Sequence, residues 1–115
     1  RNEIEINIDV WGEHSLPLDV QKSIFRIIQE ALANVLWHSQ AERVNVEFDF
    51  RTEILVLKIQ DDGEGFDFDQ RRSDGMGLEF MSERASLIGG ELKIISKLGH
   101  GTSIILKYPY QLTEI

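Results

Sequence analysis

Four short stretches of this chain carry side chains whose types and spacing could do chemistry. In "DDGEGFD", residues 61–67, Asp61 stands at the mouth of an apolar run, where its carboxylate could accept hydrogen bonds from an exocyclic amino group. Gly63 and Gly65, spaced by one residue, would let the backbone turn at positive φ or approach a ligand closely. In "DGMGLEFM", Gly75 and Gly77 precede a helical pattern, and glycines there expose N–H donors at the positive end of a helix dipole, an arrangement that binds phosphate. No G-K-[ST] follows, so this is not a P-loop, and Phe80 stands where a dinucleotide fingerprint would need glycine. In "QEALANVLWHS", Glu30, Asn34 and His38 recur every four positions in an otherwise apolar run. In "GHGTSI", Thr102 follows a tight glycine turn, where its hydroxyl could meet a ligand or satisfy the turn.

The elements that must position these groups are legible from periodicity. Ile4, Ile6, Ile8 and Val10 alternate with polar residues in a first strand that ends at Gly12. "SLPLDVQKSIFRIIQEALANVLWHS" keeps the helical period throughout, with Asp19 as the expected N-cap after the break at Pro17. At about 100° per residue, Ile24, Ile28, Ala31, Leu32, Val35 and Leu36 share the arc expected to face a sheet. Glu30, Asn34 and His38 form a separate row along its flank, looking into a crevice between the helix and its neighbour. Alone, such a row is an ordinary polar boundary stripe.

Val44, Val46, Phe48 and Phe50 alternate in a second strand. "ILVLKIQD" is nearly continuous in apolar residues and predicts a central strand covered on at least one face. An acidic, glycine-punctuated loop from Asp61 to Gly77 follows, then a helix from Leu78 to Ile88 ended by Gly89 and Gly90. "ELKIISK" and "TSIILKYPY" make two last strands joined by "LGHG". This order lacks the strict alternation of a doubly wound fold. It predicts an α+β chain: a two-layer α/β sandwich in which helices cover one face of a mixed sheet, with residues 1–115 as one domain.

Composition narrows the partners. Twelve basic against twenty acidic side chains give a net charge of −8, which argues against a nucleic-acid surface but leaves room for a small anion held by local N–H donors. No apolar run approaches the ~20 residues a membrane helix needs, so no membrane contact is expected of this segment. The absence of cysteine excludes disulfides and thiolate metal sites. A chain starting at Arg1 without methionine is what a domain cut from a longer protein would look like.

Taken together, an E-x-x-x-N helix, D-x-G-x-G after a strand, G-x-G before a helix and G-T opening a final strand resemble the four motifs of the GHKL ATPase superfamily, whose architecture is the Bergerat fold. The stretches "LPLDVQKSIFRIIQEALANVLWHSQAERVNVEF", "LKIQDDGEGFD", "GMGLEFMSERASLIGGELKIIS" and "GHGTSIILKYP" look like the ATP-binding catalytic domain of nitrate-sensor-type (NarX/NarQ-like) sensor histidine kinases, over roughly residues 15–109.

The resemblance implies ATP and Mg²⁺ as cofactors and transfer of the γ-phosphate to a histidine on a separate dimerisation domain, for which no segment is present, with a response regulator downstream and a cytoplasmic setting. On this resemblance Asn34 is the Mg²⁺ ligand and Glu30 the catalytic acidic residue of the same box, which in hydrolysing relatives orients or deprotonates water and here is expected to support the metal shell; His38 is part of its pattern. Asp61 accepts from the adenine amino group, with Gly63 and Gly65 keeping the base pocket open and Thr102 reaching the same edge. Gly75 and Gly77 are the lid glycines at the phosphates, with Leu78 beside them. Residues Asp67 to Asp74 form the lid, where Arg71 and Arg72 are candidate phosphate contacts. The chain departs from the family pattern at Trp37, where lysine is common, and at Phe80, where glycine is; both bear on phosphoryl transfer and leave adenine recognition intact. The same superfamily contains anti-sigma-factor-type serine kinases, and a degenerate module serving only protein interaction is the alternative of another class.

Overall fold

The computed structural model of the chain describes residues 3–66 and 77–111, without the side chains of His38 and Ser39. Strand β1 (Glu5–Trp11) leads into helix α1 (Leu18–Asn34) and a π-helical turn (Val35–Ser39). Strands β2 (Arg43–Phe50) and β3 (Ile54–Asp61) follow, then helix α2 (Leu78–Leu87) and strands β4 (Glu91–Ser96) and β5 (Thr102–Pro109). The five strands form one sheet in the order β1-β2-β3-β5-β4. Only the β1–β2 pair is parallel; the β2–β3, β3–β5 and β4–β5 pairs are antiparallel. The sheet is therefore mixed and the chain α+β, as the order of elements implied.

Register explains why one face is covered. Residues paired across a sheet point to the same side, and alternate residues of a strand share a face. Val44, Val46 and Phe48 of β2 oppose Asp61, Ile59 and Leu57 of β3. These oppose Thr102, Ile104 and Leu106 of β5, which in turn oppose Ser96, Ile94 and Leu92 of β4. The apolar members of this face pack with Ile24, Ile27 and Ala31 of α1 and with Met81 and Ala85 of α2 in one core. The opposite face carries Asn45, Glu47, Lys58 and Gln60, and nothing among the described residues covers it. Ile27, Leu55, Leu57, Met81, Leu106 and Tyr108 are the largest wholly buried side chains. Burying one such leucine contributes roughly 1.5–3 kcal/mol.

Three details of the helices differ from the sequence pattern. Pro17, not Asp19, is the N-cap of α1, and no side chain caps it; Asp19 lies in the first turn, where its charge complements the helix dipole. The buried arc of α1 is centred on Ile24, Ile27 and Ala31, so Ile28 and Leu32 are only half-buried and Leu36 is exposed. The α-helix also stops at Asn34, and a π turn follows it over Val35–Ser39. Gln40, at φ 55°, ends that turn in the left-handed region.

The C-terminus of α2 follows its glycines closely. Gly89 adopts φ 77°, its N–H donates to Ser86 O at 3.0 Å, and the N–H of Gly90 donates to Ala85 O at 2.8 Å. This is a Schellman arrangement, in which two carbonyls left over at the helix end find donors and the chain reverses into β4.

Candidate functional site

Three features converge at one end of the two layers: the end of β3, the end of α1 and the start of α2. The π turn after α1 ends at Ser39 and β2 begins at Arg43, whose neighbour Val44 pairs with Asp61. This short connection brings the end of α1 to the Asp61 end of the sheet. Helix α2 runs the other way, because the chain leaving it enters β4 at Glu91, which pairs with Lys107 at the far end of β5.

Asp61 shares the inward parity of Leu55, Leu57 and Ile59, so it faces the helices and is buried. Its Oδ1 accepts the N–H of Gly63 at 2.8 Å. Burial pushes its carboxyl above the usual carboxylate value; backbone N–H groups of Gly63 and Thr102 oppose this shift, and the Asp62 charge reinforces it. Asp62 behaves in the opposite way. Its Oδ1 accepts the N–H groups of Glu42 and Arg43, each at 2.9 Å. These donors, Arg43 first, hold its carboxyl below the usual range and fasten the start of β2 to the end of β3.

Thr102 lies directly opposite Asp61. Its Oγ1 shares a 2.7 Å hydrogen bond with Ser96 Oγ, which also accepts the N–H of Phe66 at 2.9 Å. Ser96, Thr102 and Asp61 thus form one polar row across three strands at the end of an apolar face. Sequence reading passed over Ser96. The available signal was its parity, since Leu92, Ile94 and Ser96 share the inward side of β4.

The glycines nearby serve close backbone packing. Gly65 and Gly101 adopt φ 65° and 76°. A Cβ on Gly65 would lie 2.8 Å from Gly101 O, and one on Gly101 would collide with the Asp61 carbonyl. The loop after β3 and the β4–β5 turn are therefore pressed together, with Gly99 N–H donating to Glu64 O at 2.6 Å. The structure gives Gly65 this packing role. Gly63 contributes the N–H that holds Asp61.

Gly77 is the N-cap of α2 at φ 71°, and among the described residues no side-chain hydrogen bond caps it. The Glu30 side chain lies against it, so the flank of α1 that carries Glu30 and Asn34 faces the start of α2. Both residues are half-buried, as expected of a crevice. The Leu78 side chain is in the core, which leaves only its backbone for a ligand. Gly75, the lid residues Asp67 to Asp74 with Arg71 and Arg72, and the His38 side chain lie outside the described residues. Trp37 is 78% exposed.

This arrangement can do three things. A desolvated carboxylate can recognise an amino group, helix N–H groups can meet an anion, and the oxygens of Glu30 and Asn34 can approach a hard cation. Groups of three or more acidic or histidine side chains able to hold a metal are absent among the described residues. No helix among them is long and apolar enough to cross a membrane.

Residues 19–112 match the family described as histidine kinase-, DNA gyrase B-, and HSP90-like ATPase. The chain is 41% identical over 109 residues to the sensor histidine kinase LiaS of Bacillus subtilis, covering 95% of this chain and 30% of that protein. It is also 41% identical over 97 residues to the sensor protein VraS of Staphylococcus saprophyticus, covering 84% of this chain and 28% of the relative. The histidine kinase domain of a blue-light activated kinase from Erythrobacter litoralis superposes with a TM-score of 0.74 at 21% identity, covering 90% of this chain and 51% of that one. That last likeness speaks to the fold alone. These comparisons support the histidine-kinase level of the resemblance and not the narrower nitrate-sensor type.

Proposed function

We propose, from the premise that this chain belongs to the histidine kinase-, DNA gyrase B- and HSP90-like ATPase family, that residues 1–115 form the ATP-binding catalytic domain of a cytoplasmic part of a sensor histidine kinase. The chain spans about 30% of the length of the LiaS relative, so the histidine acceptor and the response regulator belong to this proposal as partners of the longer protein. The observation that carries it is Asp61: a buried carboxylate, bonded to Gly63 N–H, at the same end of the sandwich as the glycine N-cap of α2 beside Glu30.

In this reading Asp61 accepts the adenine amino group, and Thr102, tied to Ser96, borders the same edge. The N–H groups at the start of α2 receive the phosphates, and their fixed direction stabilises charge as it builds on the γ-phosphate oxygens. Glu30 and Asn34 are the residues that would hold Mg²⁺. Two half-buried oxygen-bearing side chains fit an ion that takes most of its ligands from phosphates and water. When bound, the ion neutralises phosphate charge.

Calorimetric titration with a non-hydrolysable ATP analogue, with and without Mg²⁺, tests the reading. Binding is expected, stronger with Mg²⁺, and Asp61→Asn should weaken it by roughly 10- to 100-fold, the worth of a charge-assisted hydrogen bond. Absence of binding under both conditions would overturn it in favour of a module that only binds protein.

A further inference from the structure

Strand β1 lies at one edge of the sheet, and its far side pairs with nothing among the described residues. It runs against β2 without interruption from Glu5 to Trp11 and contains no proline, lysine or arginine. Bulges, prolines and edge lysines are the devices that keep a strand from pairing with another chain, and β1 has none of them. The opposite edge, β4, carries Lys93.

The ladder fixes which groups the open edge presents. The Glu5 N–H donates to Glu42 O at 2.9 Å. In a parallel pair both backbone groups of alternate residues face the same neighbour, so Glu5, Asn7, Asp9 and Trp11 turn theirs toward β2. The N–H and C=O groups of Ile6, Ile8 and Val10 therefore point out of the edge. Their side chains lie on the helix side of the sheet, opposite Val44, Val46 and Phe48, and are 51%, 64% and 58% exposed. Open backbone groups and bare apolar side chains thus coincide at three positions.

The order of residues along β1 suits a second copy of itself. About a two-fold axis at Ile8, an antiparallel pair sets Ile8 against Ile8, Ile6 against Val10, Asn7 against Asp9 and Glu5 against Trp11. The whole strand overlaps, the edge-facing groups of Ile6, Ile8 and Val10 meet one another, and no acid lies opposite an acid. Moving the axis to Asn7 sets Glu5 against Asp9, and moving it to Asp9 sets that carboxylate against its twin; like charges directly opposite are destabilising. Asp9 already faces Glu47 within its own sheet. Moving the axis to Ile6 or Val10 shortens the overlap. The axis at Ile8 stands perpendicular to the sheet, so the apolar rows of both copies come side by side on the helix side and shield one another from water. At physiological salt, screening over about 8 Å confines the repulsion between copies of net charge −8 to groups near the contact.

We infer that two copies of this chain pair through β1, antiparallel and centred on Ile8, into one continuous sheet. Strand β2 separates this edge from Asp61 on β3, so the proposal is independent of nucleotide binding.

Sedimentation equilibrium of this chain over a concentration series reaching about 1 mM tests it, and a monomer–dimer equilibrium is expected. Ile8→Pro removes an N–H that β2 does not use, as edge strands tolerate. It should weaken the dimer at least about tenfold, with circular dichroism and ATP-analogue affinity unchanged. Asn7→Asp keeps every backbone group and should also weaken the dimer, by setting acid against Asp9. The chain has no cysteine, so Ile8→Cys supplies a single thiol whose twin lies about 5.5 Å away between Cα atoms, within disulfide reach. Mild oxidation should cross-link Ile8→Cys and leave Asn7→Cys, whose twin is offset along the strand, largely monomeric. A monomer throughout the series, a dimer indifferent to Ile8→Pro or to Asn7→Asp, or equally fast cross-linking at both positions would overturn the inference.

Discussion

The Glu30 side chain lies against the backbone of Gly77 so closely that a Cβ added to Gly77 would sit 2.5 Å from Glu30 Cγ and Cδ. This contact places the Glu30 side chain at the start of α2. It couples the residue that would sit at the metal to the helix N-terminus that would meet the phosphates.

Gly77→Ala should therefore destabilise the domain twice over, by the contact with Glu30 and by a side chain at φ 71°. A loss of about 1–3 kcal/mol is expected. Adding Glu30→Ala should recover only the contact part. Thermal unfolding of the two single variants and the double variant reads this non-additivity.

Asp61→Asn should raise the thermal midpoint at pH 7 even as it weakens nucleotide binding. Burial lifts the folded carboxyl above its ordinary 3.8, so Asp61 favours the fold most below 3.8, and that contribution is lost as pH rises through the raised folded value. Asparagine does not ionise, so the variant's advantage should be present at neutral pH and vanish on acidification below 3.8. Melting curves across pH measure it. A variant less stable than the parent at pH 7 would contradict this account of Asp61.

Asp62 should behave with the opposite sign. Its folded carboxyl is held below 3.8 by the Arg43 and Glu42 N–H groups, so its stabilisation is present above 3.8 and is lost as pH falls through the lowered folded value. Asp62→Ala should cost about 0.5–1.5 kcal/mol at pH 7, within the range of ordinary solvent-exposed hydrogen bonds. The gap between parent and variant should close in strong acid, as urea titrations at several pH values would show.

Ser96→Ala removes the partner of Thr102 Oγ1 and the acceptor of Phe66 N–H. A stability loss of about 1–2 kcal/mol is expected, together with weaker binding of the ATP analogue, because Thr102 loses its orientation. Calorimetry on Ser96→Ala and Thr102→Val separates the two effects. Unchanged nucleotide affinity in Ser96→Ala would confine that residue to holding the loop.

Much of this molecule is written along the chain, where short-range chemistry decides. Alternation marked the strands, the helical period marked α1 and α2, and Gly89 and Gly90 marked the stop of α2, because each depends on residues a few positions apart. Asp61 at the end of "ILVLKIQD" is likewise local: the parity that buries Leu55, Leu57 and Ile59 carries it inward. Tertiary structure alone decided the rest. Glu30 and Gly77 are far apart in sequence and meet only because α2 packs alongside α1. Gly65 and Gly101 are required by the pressing of two loops that no local pattern couples. The exposure of Ile6, Ile8 and Val10 follows from the place of β1 at the sheet edge, beyond the reach of α1. Their alternation with polar residues is the same whether a strand's apolar side is covered or bare.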